Sequence, residues 1–258
     1  MKFIKSEEQG FVGIITLDND NKHNSLNVEM LDEIVEAVSV FEATDKRVVV
    51  IRSNPGKAVW CAGLRIDQLP DPEYDPVPYE YNLEKVLKKL EQFSGAVIAM
   101  IEGSVWGGGC ELAFSCDILV GSASSSFAIT PAKLSAPYNP VQVQRVLSLV
   151  ETNIAKELFF TAEPIKASRA LELGILNHVV DKDKLEVFTF SMAETIAANA
   201  PLNIRLIKKQ INALSRATVE MINTKEIKKM VAASFYSNDF KEGKKAFLEK
   251  RKPEFLGE

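Results

Sequence analysis

Cysteine and histidine are scarce in this sequence. Cys61, Cys110 and Cys116 form an odd set with no Cys-x-x-Cys spacing, which argues against a disulfide framework and against a structural zinc site. They read as reduced, packed thiols. His23 and His178 cannot supply a three-histidine centre, and neither lies in a metal-binding motif. An excess of one charge is also missing, because 31 Lys and Arg stand against 35 Asp and Glu, a net of −4. That balance leaves no general electrostatic footprint for nucleic acid, and no aromatic-basic platform replaces it. Long apolar runs are absent too. Ala96 to Ile101, the longest clean run near the middle, is far too short to span a bilayer. The first residues, Met1-Lys2-Phe3-Ile4-Lys5-Ser6-Glu7-Glu8, turn polar at once and hold no signal-peptide hydrophobic block. The expectation is a cytoplasmic protein with no membrane and no nucleic-acid partner. Its chemistry must rely on carboxylates, tyrosine, backbone amides and helix termini.

What is present is ordinary globular material, 258 residues with 46% hydrophobic and 26% charged side chains. At roughly 150 residues per domain this length predicts one or two domains. Phe11 to Leu17 reads as a strand ending in Asp18-Asn19-Asp20-Asn21. Leu26, Met30, Ile34, Val38 and Phe41 recur at helical spacing, with Asn24 or Ser25 as the expected cap. Val48 to Ile51, Ala96 to Ile101 and Ile118 to Val120 read as covered strands, with helices over Tyr81 to Phe93 and Gly107 to Ser115. Pro70, Pro72, Pro76 and Pro78 make Leu69 to Tyr81 a surface loop. From Val141 the pattern is mainly helical, with Gly174 closing one helix and another running on from Pro201. Strands alternating with helices predict an α/β fold.

Two segments carry the chemistry. Ile101-Glu102-Gly103-Ser104-Val105-Trp106-Gly107-Gly108-Gly109-Cys110-Glu111-Leu112 takes a strand into three glycines and a helix start. Glycine lets a ligand approach the backbone, and a helix start presents N–H groups that its own turns do not use. The place suits a developing negative charge, a phosphate or a thioester oxyanion. It has neither the Gly-x-Gly-x-x-Gly spacing of a dinucleotide site nor the Gly-Lys-Ser/Thr of a P-loop. The second segment, Val59-Trp60-Cys61-Ala62-Gly63-Leu64-Arg65-Ile66-Asp67, follows a strand and has small residues where the chain must turn.

In their order and separation these two elements resemble the crotonase (enoyl-CoA hydratase/isomerase) superfamily. The likeness extends to Lys22-His23-Asn24-Ser25-Leu26-Asn27 and to the later Ala167, Leu171, Gly174, Ile175, Asn177, Val179 and Val180. The resemblance implies a ClpP-like spiral of ββα turns over about residues 1–200 and a C-terminal helical oligomerisation region over 201–258. It implies a homotrimer or a dimer of trimers and an acyl-CoA thioester substrate. Coenzyme A is then part of the substrate, and no separate cofactor, biotin or metal is expected. It also implies an oxyanion hole formed by the N–H groups of Leu64 and Gly108. Substrate contacts are expected from Lys22, Ala62, Gly63, Leu64, Arg65, Ile66, Gly108, Thr130 and Lys250.

The departures bear on the reaction. Hydratases of the superfamily use two glutamates, and Glu111 matches the first. Ala132 stands where the second would sit, and a methyl group cannot move a proton. Lys133 beside it is expected to face away, on the assumption of an extended segment. Gly103-Ser104-Val105-Trp106-Gly107-Gly108, Thr130-Pro131, Ala136-Pro137-Tyr138-Asn139 and Phe247 to Pro253 are similar to a biotin-independent decarboxylase branch acting on methylmalonyl-type thioesters. That likeness implies that Tyr138 orients the substrate carboxylate. The branch carries a histidine where this chain has Leu64, so only a backbone contact carries over there. Two alternatives stand beside this reading: an enoyl-CoA hydratase or isomerase working with Glu111, and a catalytically silent CoA-binding subunit.

Overall fold

Apolar residues without polar alternation make the central strands, because both faces of the sheet they form are covered. The computed structural model describes residues 1–69, 80–221 and 224–257. Most of the proline-rich stretch expected as a surface loop lies outside the described residues. The chain opens with the antiparallel pair β1 (Ile4–Gln9) and β2 (Val12–Leu17). The sequence reading assigns no strand to β1. Only Ile4 of it is buried, so an edge strand hides in a polar run.

The helix α1 (Val28–Ala43) follows, and its cap corrects the expectation of Asn24 or Ser25. Asn27 caps it, with its side chain accepting the Met30 N–H at 2.7 Å. Three strand–strand–helix turns come next. They are β3 (Val48–Ser53), β4 (Val59–Cys61) and α2 (Glu80–Gln92), then β5 (Ala96–Ile101), β6 (Ser104–Trp106) and α3 (Gly108–Phe114). The third comprises β7 (Ile118–Ser122), β8 (Ser126–Ala128) and α4 (Pro140–Leu147). Helix α5 (Thr152–Thr161), strand β9 (Ile165–Lys166), helix α6 (Ala167–Glu172) and strand β10 (His178–Val180) complete the winding. The first strand of each turn joins a six-stranded sheet ordered β1-β2-β3-β5-β7-β10, and the second joins a four-stranded sheet ordered β4-β6-β8-β9. This is a spiral of ββα turns.

One face of the larger sheet (Val49, Ile51, Val97, Ala99 and Leu119) packs with Phe41 of α1, Leu87 of α2 and Trp60, Val105 and Phe127 of the smaller sheet. Each Val, Leu, Ile or Phe among them, fully buried, contributes roughly 1.5–3 kcal/mol. The opposite face is closed by α7 (Leu185–Ala198), which lays Leu185, Ala193 and Ala197 on Val48, Val50, Ile98 and Val120. The C-terminal helices are α8 (Pro201–Met221), α9 (Thr224–Phe235) and α10 (Asn238–Leu248). Among the described residues, no helix is long and apolar enough to cross a membrane.

Candidate active site

The site is built where the chain leaves β4 and where it enters α3. Asn24 organises the first of these places. His23 and Asn24 both take the left-handed conformation, with φ of 52° and 51°, which asparagine tolerates better than most residues. Buried Asn24 then donates to the Trp60 carbonyl at 3.1 Å and accepts the Asn19 N–H at 2.8 Å. Leu26 N–H donates to Gly63 O at 2.7 Å, and Arg65 N–H donates to Leu26 O at 3.0 Å. Successive amides of an extended segment point to opposite sides. With Gly63 O and Arg65 N turned toward Leu26, the Leu64 N–H must point away from it, toward α3.

Close approach from α3 meets that amide. Gly63 sits at φ +84°, and a methyl group there would fall 2.5 Å from Trp106 O and 3.1 Å from Gly108 N. Only glycine accepts both the backbone and the space. A methyl on Gly108 would fall 2.8 Å from Leu64 Cγ and 3.3 Å from Leu64 N, so these two amides share one small volume. Among the described residues, neither the Leu64 nor the Gly108 N–H donates to a protein acceptor. Two unspent donors side by side suit an oxygen that gains negative charge. Thr130 belongs to the same place, because its hydroxyl oxygen lies 3.1 Å from where a Gly107 methyl would stand.

Glu111 lies one turn into α3 and is 1% exposed. Its Oε2 accepts from Arg145 Nη1 at 2.8 Å. The same guanidinium donates through Nε to Glu91 at 2.9 Å and through Nη2 to Glu84 at 3.3 Å, both on α2. Arg216 of α8 adds a second cation on Glu91. Burial works against the charge on Arg145, but Glu111, Glu91 and Glu84 together hold its pKa above the ordinary guanidinium value. The sequence reading missed Arg145. Its signal is a charged residue sharing the buried face of α4 with Gln142 and Val146.

Tyr138 enters from the loop before α4. Its ring is half-buried and meets Phe159 edge to face at 5.2 Å. The Asn139 side chain accepts the Val141 and Gln142 N–H groups at 2.9 and 3.0 Å, and Gln142 Oε1 accepts the Asn139 N–H at 2.8 Å. That reciprocal cap fixes the chain beside Tyr138. Ala132 and Lys133 correct an expectation. Pro131–Lys133 is a 3-10 turn rather than an extended segment. Lys133 is directed by an ion pair with Glu163 at 3.0 Å, not by strand alternation.

Around the entrance, Arg65 forms a two-pronged pair with Asp67. Arg65 first, and Lys22 further off, hold the Asp67 carboxyl below its usual range. Helix α10 returns to this side of the molecule. Gly243 lies against the Leu134 backbone, and Lys244 Nζ donates to Leu69 O at 2.7 Å. The structure thus gathers Ala62, Gly63, Leu64, Arg65, Ile66, Gly108 and Thr130, with Lys22 near Asp67. Lys250 stands exposed on the turn after α10 at φ +57°. No described contact joins it to the paired amides.

The chain belongs to the enoyl-CoA hydratase/isomerase family, whose model matches residues 7–258. With the spiral of ββα turns, this defines a crotonase-fold acyl-CoA enzyme. It is 39% identical to methylmalonyl-CoA decarboxylase of Escherichia coli strain K12 over 247 residues, covering 95% of each chain. It is 31% identical to short-chain-enoyl-CoA hydratase of Clostridium acetobutylicum over 249 residues, covering 96% of this chain and 95% of that one. A solved structure of methylmalonyl-CoA decarboxylase in complex with 2-nitronate-propionyl-CoA matches with a TM-score of 0.94 and 37% identity. The match covers 100% of this chain and 99% of that chain.

Proposed function

We propose that the protein decarboxylates methylmalonyl-CoA, or a similar malonyl-type thioester, to propionyl-CoA. The observation that carries this reading is the state of the two acid–base positions. Glu111 is engaged by Arg145 at 2.8 Å, and an alanine, Ala132, stands where a second carboxylate would be needed. Adding water across a double bond needs a group that takes water's proton and a group that returns one. Decarboxylation needs neither at its first step. The bond from C2 to the carboxylate breaks, its electron pair moves into the thioester as an enolate, and carbon dioxide leaves. A proton from water then closes the reaction at C2.

Three residues take roles in this scheme. The N–H groups of Leu64 and Gly108 hold the thioester oxygen as it becomes negative. Tyr138 donates its phenol hydroxyl to the substrate carboxylate and holds it perpendicular to the thioester plane. No histidine ring assists at Leu64, so the oxyanion contact there is made by the backbone alone. Lys22, Ala62, Gly63, Arg65, Ile66 and Thr130 contact the acyl-CoA, and Lys250 meets the coenzyme A phosphates. No cofactor enters the scheme.

The test is to incubate the protein separately with methylmalonyl-CoA and crotonyl-CoA. Propionyl-CoA and carbon dioxide from the first support the reading, whereas 3-hydroxybutyryl-CoA from the second as the main activity replaces it with hydration. Inertness toward both leaves the silent CoA-binding subunit. The phosphate role has its own expected outcome. Lys250→Ala should raise KM for CoA esters much more than it lowers kcat, the pattern of lost uniform binding.

A further inference from the structure

The decarboxylation scheme gives Glu111 no task, yet the fold spends a great deal on it. Five charged side chains (Glu84, Glu91, Glu111, Arg145 and Arg216) meet beneath the α3 entrance, and Arg145 is only 7% exposed. Buried ion clusters are weak devices for stability, since the lost hydration of the ions offsets most of their attraction. The geometry has a direction. Arg145 of α4 is aimed by two carboxylates of α2, one of these is in turn held by Arg216 of α8, and what Arg145 delivers is one hydrogen bond to Glu111. A carboxylate bound to a guanidinium is a poor base, because taking up a proton forfeits the pair. Its neutralised charge also does not repel a carboxylate substrate arriving one helical turn away.

We propose that Arg145 is the positioning residue that holds Glu111 in an ion pair and neutralises its charge, and thereby adapts this crotonase site to a negatively charged acyl group. This rests on the decarboxylase reading. Glu111 shares the Arg145 guanidinium with Glu84 and Glu91 of α2, and its charge acts on Cys110 of α3. Among the described residues Lys88 also pairs with Glu84 and Arg216 with Glu91. Without Arg145, burial and like charge raise the Glu111 carboxyl pKa. Below that pKa the group is neutral and harmless. Above it, an anion without the Arg145 charge opposes the substrate carboxylate.

The experiment compares wild type, Arg145→Gln and the double variant Arg145→Gln with Glu111→Gln. In the single variant, kcat/KM for methylmalonyl-CoA should fall at least tenfold as pH rises, along an ionisation absent from the wild type, with KM carrying most of the change. The double variant should lose that limb. A single variant with the wild-type pH profile, or a limb that survives in the double variant, overturns the proposal. Infrared difference spectroscopy supplies a readout apart from turnover: a protonated carboxyl band should appear in Arg145→Gln and vanish with Glu111→Gln. If the wild type proves not to decarboxylate, the functional reading fails while the infrared band still tests the control of Glu111. Should Arg145→Gln not fold, the double variant decides. If it folds and is active the proposal holds, and if it also fails to fold, Arg145 serves the fold and the proposal is overturned.

Discussion

At the scale of the residue, the site separates side chains by what their surroundings let them do. In the proposed scheme Tyr138 donates without offering a base, while Glu111 is held in an ion pair by Arg145. Tyr138→Phe should therefore impair methylmalonyl-CoA turnover by about 1–3 kcal/mol, the scale of an unmade buried hydrogen bond. Glu111→Gln should do less harm. Steady-state kinetics of the two variants check this, and the reverse order would assign the chemistry to Glu111. The cysteines give a second expectation. All three are buried, and burial raises their thiol pKa values, that of Cys61 to about 12. A thiol held protonated and away from solvent is a poor nucleophile. A disulfide reagent should find no reactive thiol in the native protein and three after denaturation, which absorbance titration measures.

At the scale of the element, short connections aim long ones. The left-handed pair His23-Asn24 turns the segment that pins Gly63 and Arg65, and that pinning turns the Leu64 amide toward α3. The tail after α10 is aimed by charge instead. Arg251 donates to Glu242 and Glu249 and draws the Glu242 carboxyl down to about 2. The folded pKa of Glu242 lies below its ordinary 4.5, so this tether contributes fully above pH 4.5 and is lost as pH falls toward about 2. The protection of residues 249–257, taken relative to the intrinsic exchange rate at each pH, should fall across that window while β3 stays protected. Hydrogen-exchange mass spectrometry checks the difference between the two segments.

At the scale of the whole molecule, the C-terminal helices are fastened to the spiral at a few points. Lys208 of α8 is one of them. Its ammonium donates to Leu90 O at 3.2 Å, Gly95 O at 3.1 Å and Asp117 Oδ2 at 2.7 Å. One side chain thus gathers the end of α2 and the approaches to β5 and β7. Lys208→Met removes these three hydrogen bonds and the cation paired with Asp117, and should lower unfolding stability by about 1–3 kcal/mol, measured by urea titration. Exposed apolar residues such as Leu202, Leu206, Ile211 and Leu214 line the rest of α8. The trimer that the family resemblance implies would cover such a surface. Sedimentation velocity should give a multiple of the 28.6 kDa chain mass.

The sequence by itself determined the alternation of strands and helices and the glycines at both edges of the site. Each of these follows from side-chain period or from a residue's own chemistry, which need no distant partner. Where partners are distant, only the tertiary structure decided. Polar Ser6, Glu7 and Glu8 become strand β1 through pairing with β2. Asn24, one of two expected caps, became the residue that ties β4 to the turn before α1, and Asn27 took the cap. Lys133 was placed by Glu163 rather than by its own segment. Glu111 shows the difference best, because its position on α3 was legible as a motif. Its role turned on Arg145, 34 residues away. An amide's direction and a charge's partner are properties of space, and they exist only once the chain has closed on itself.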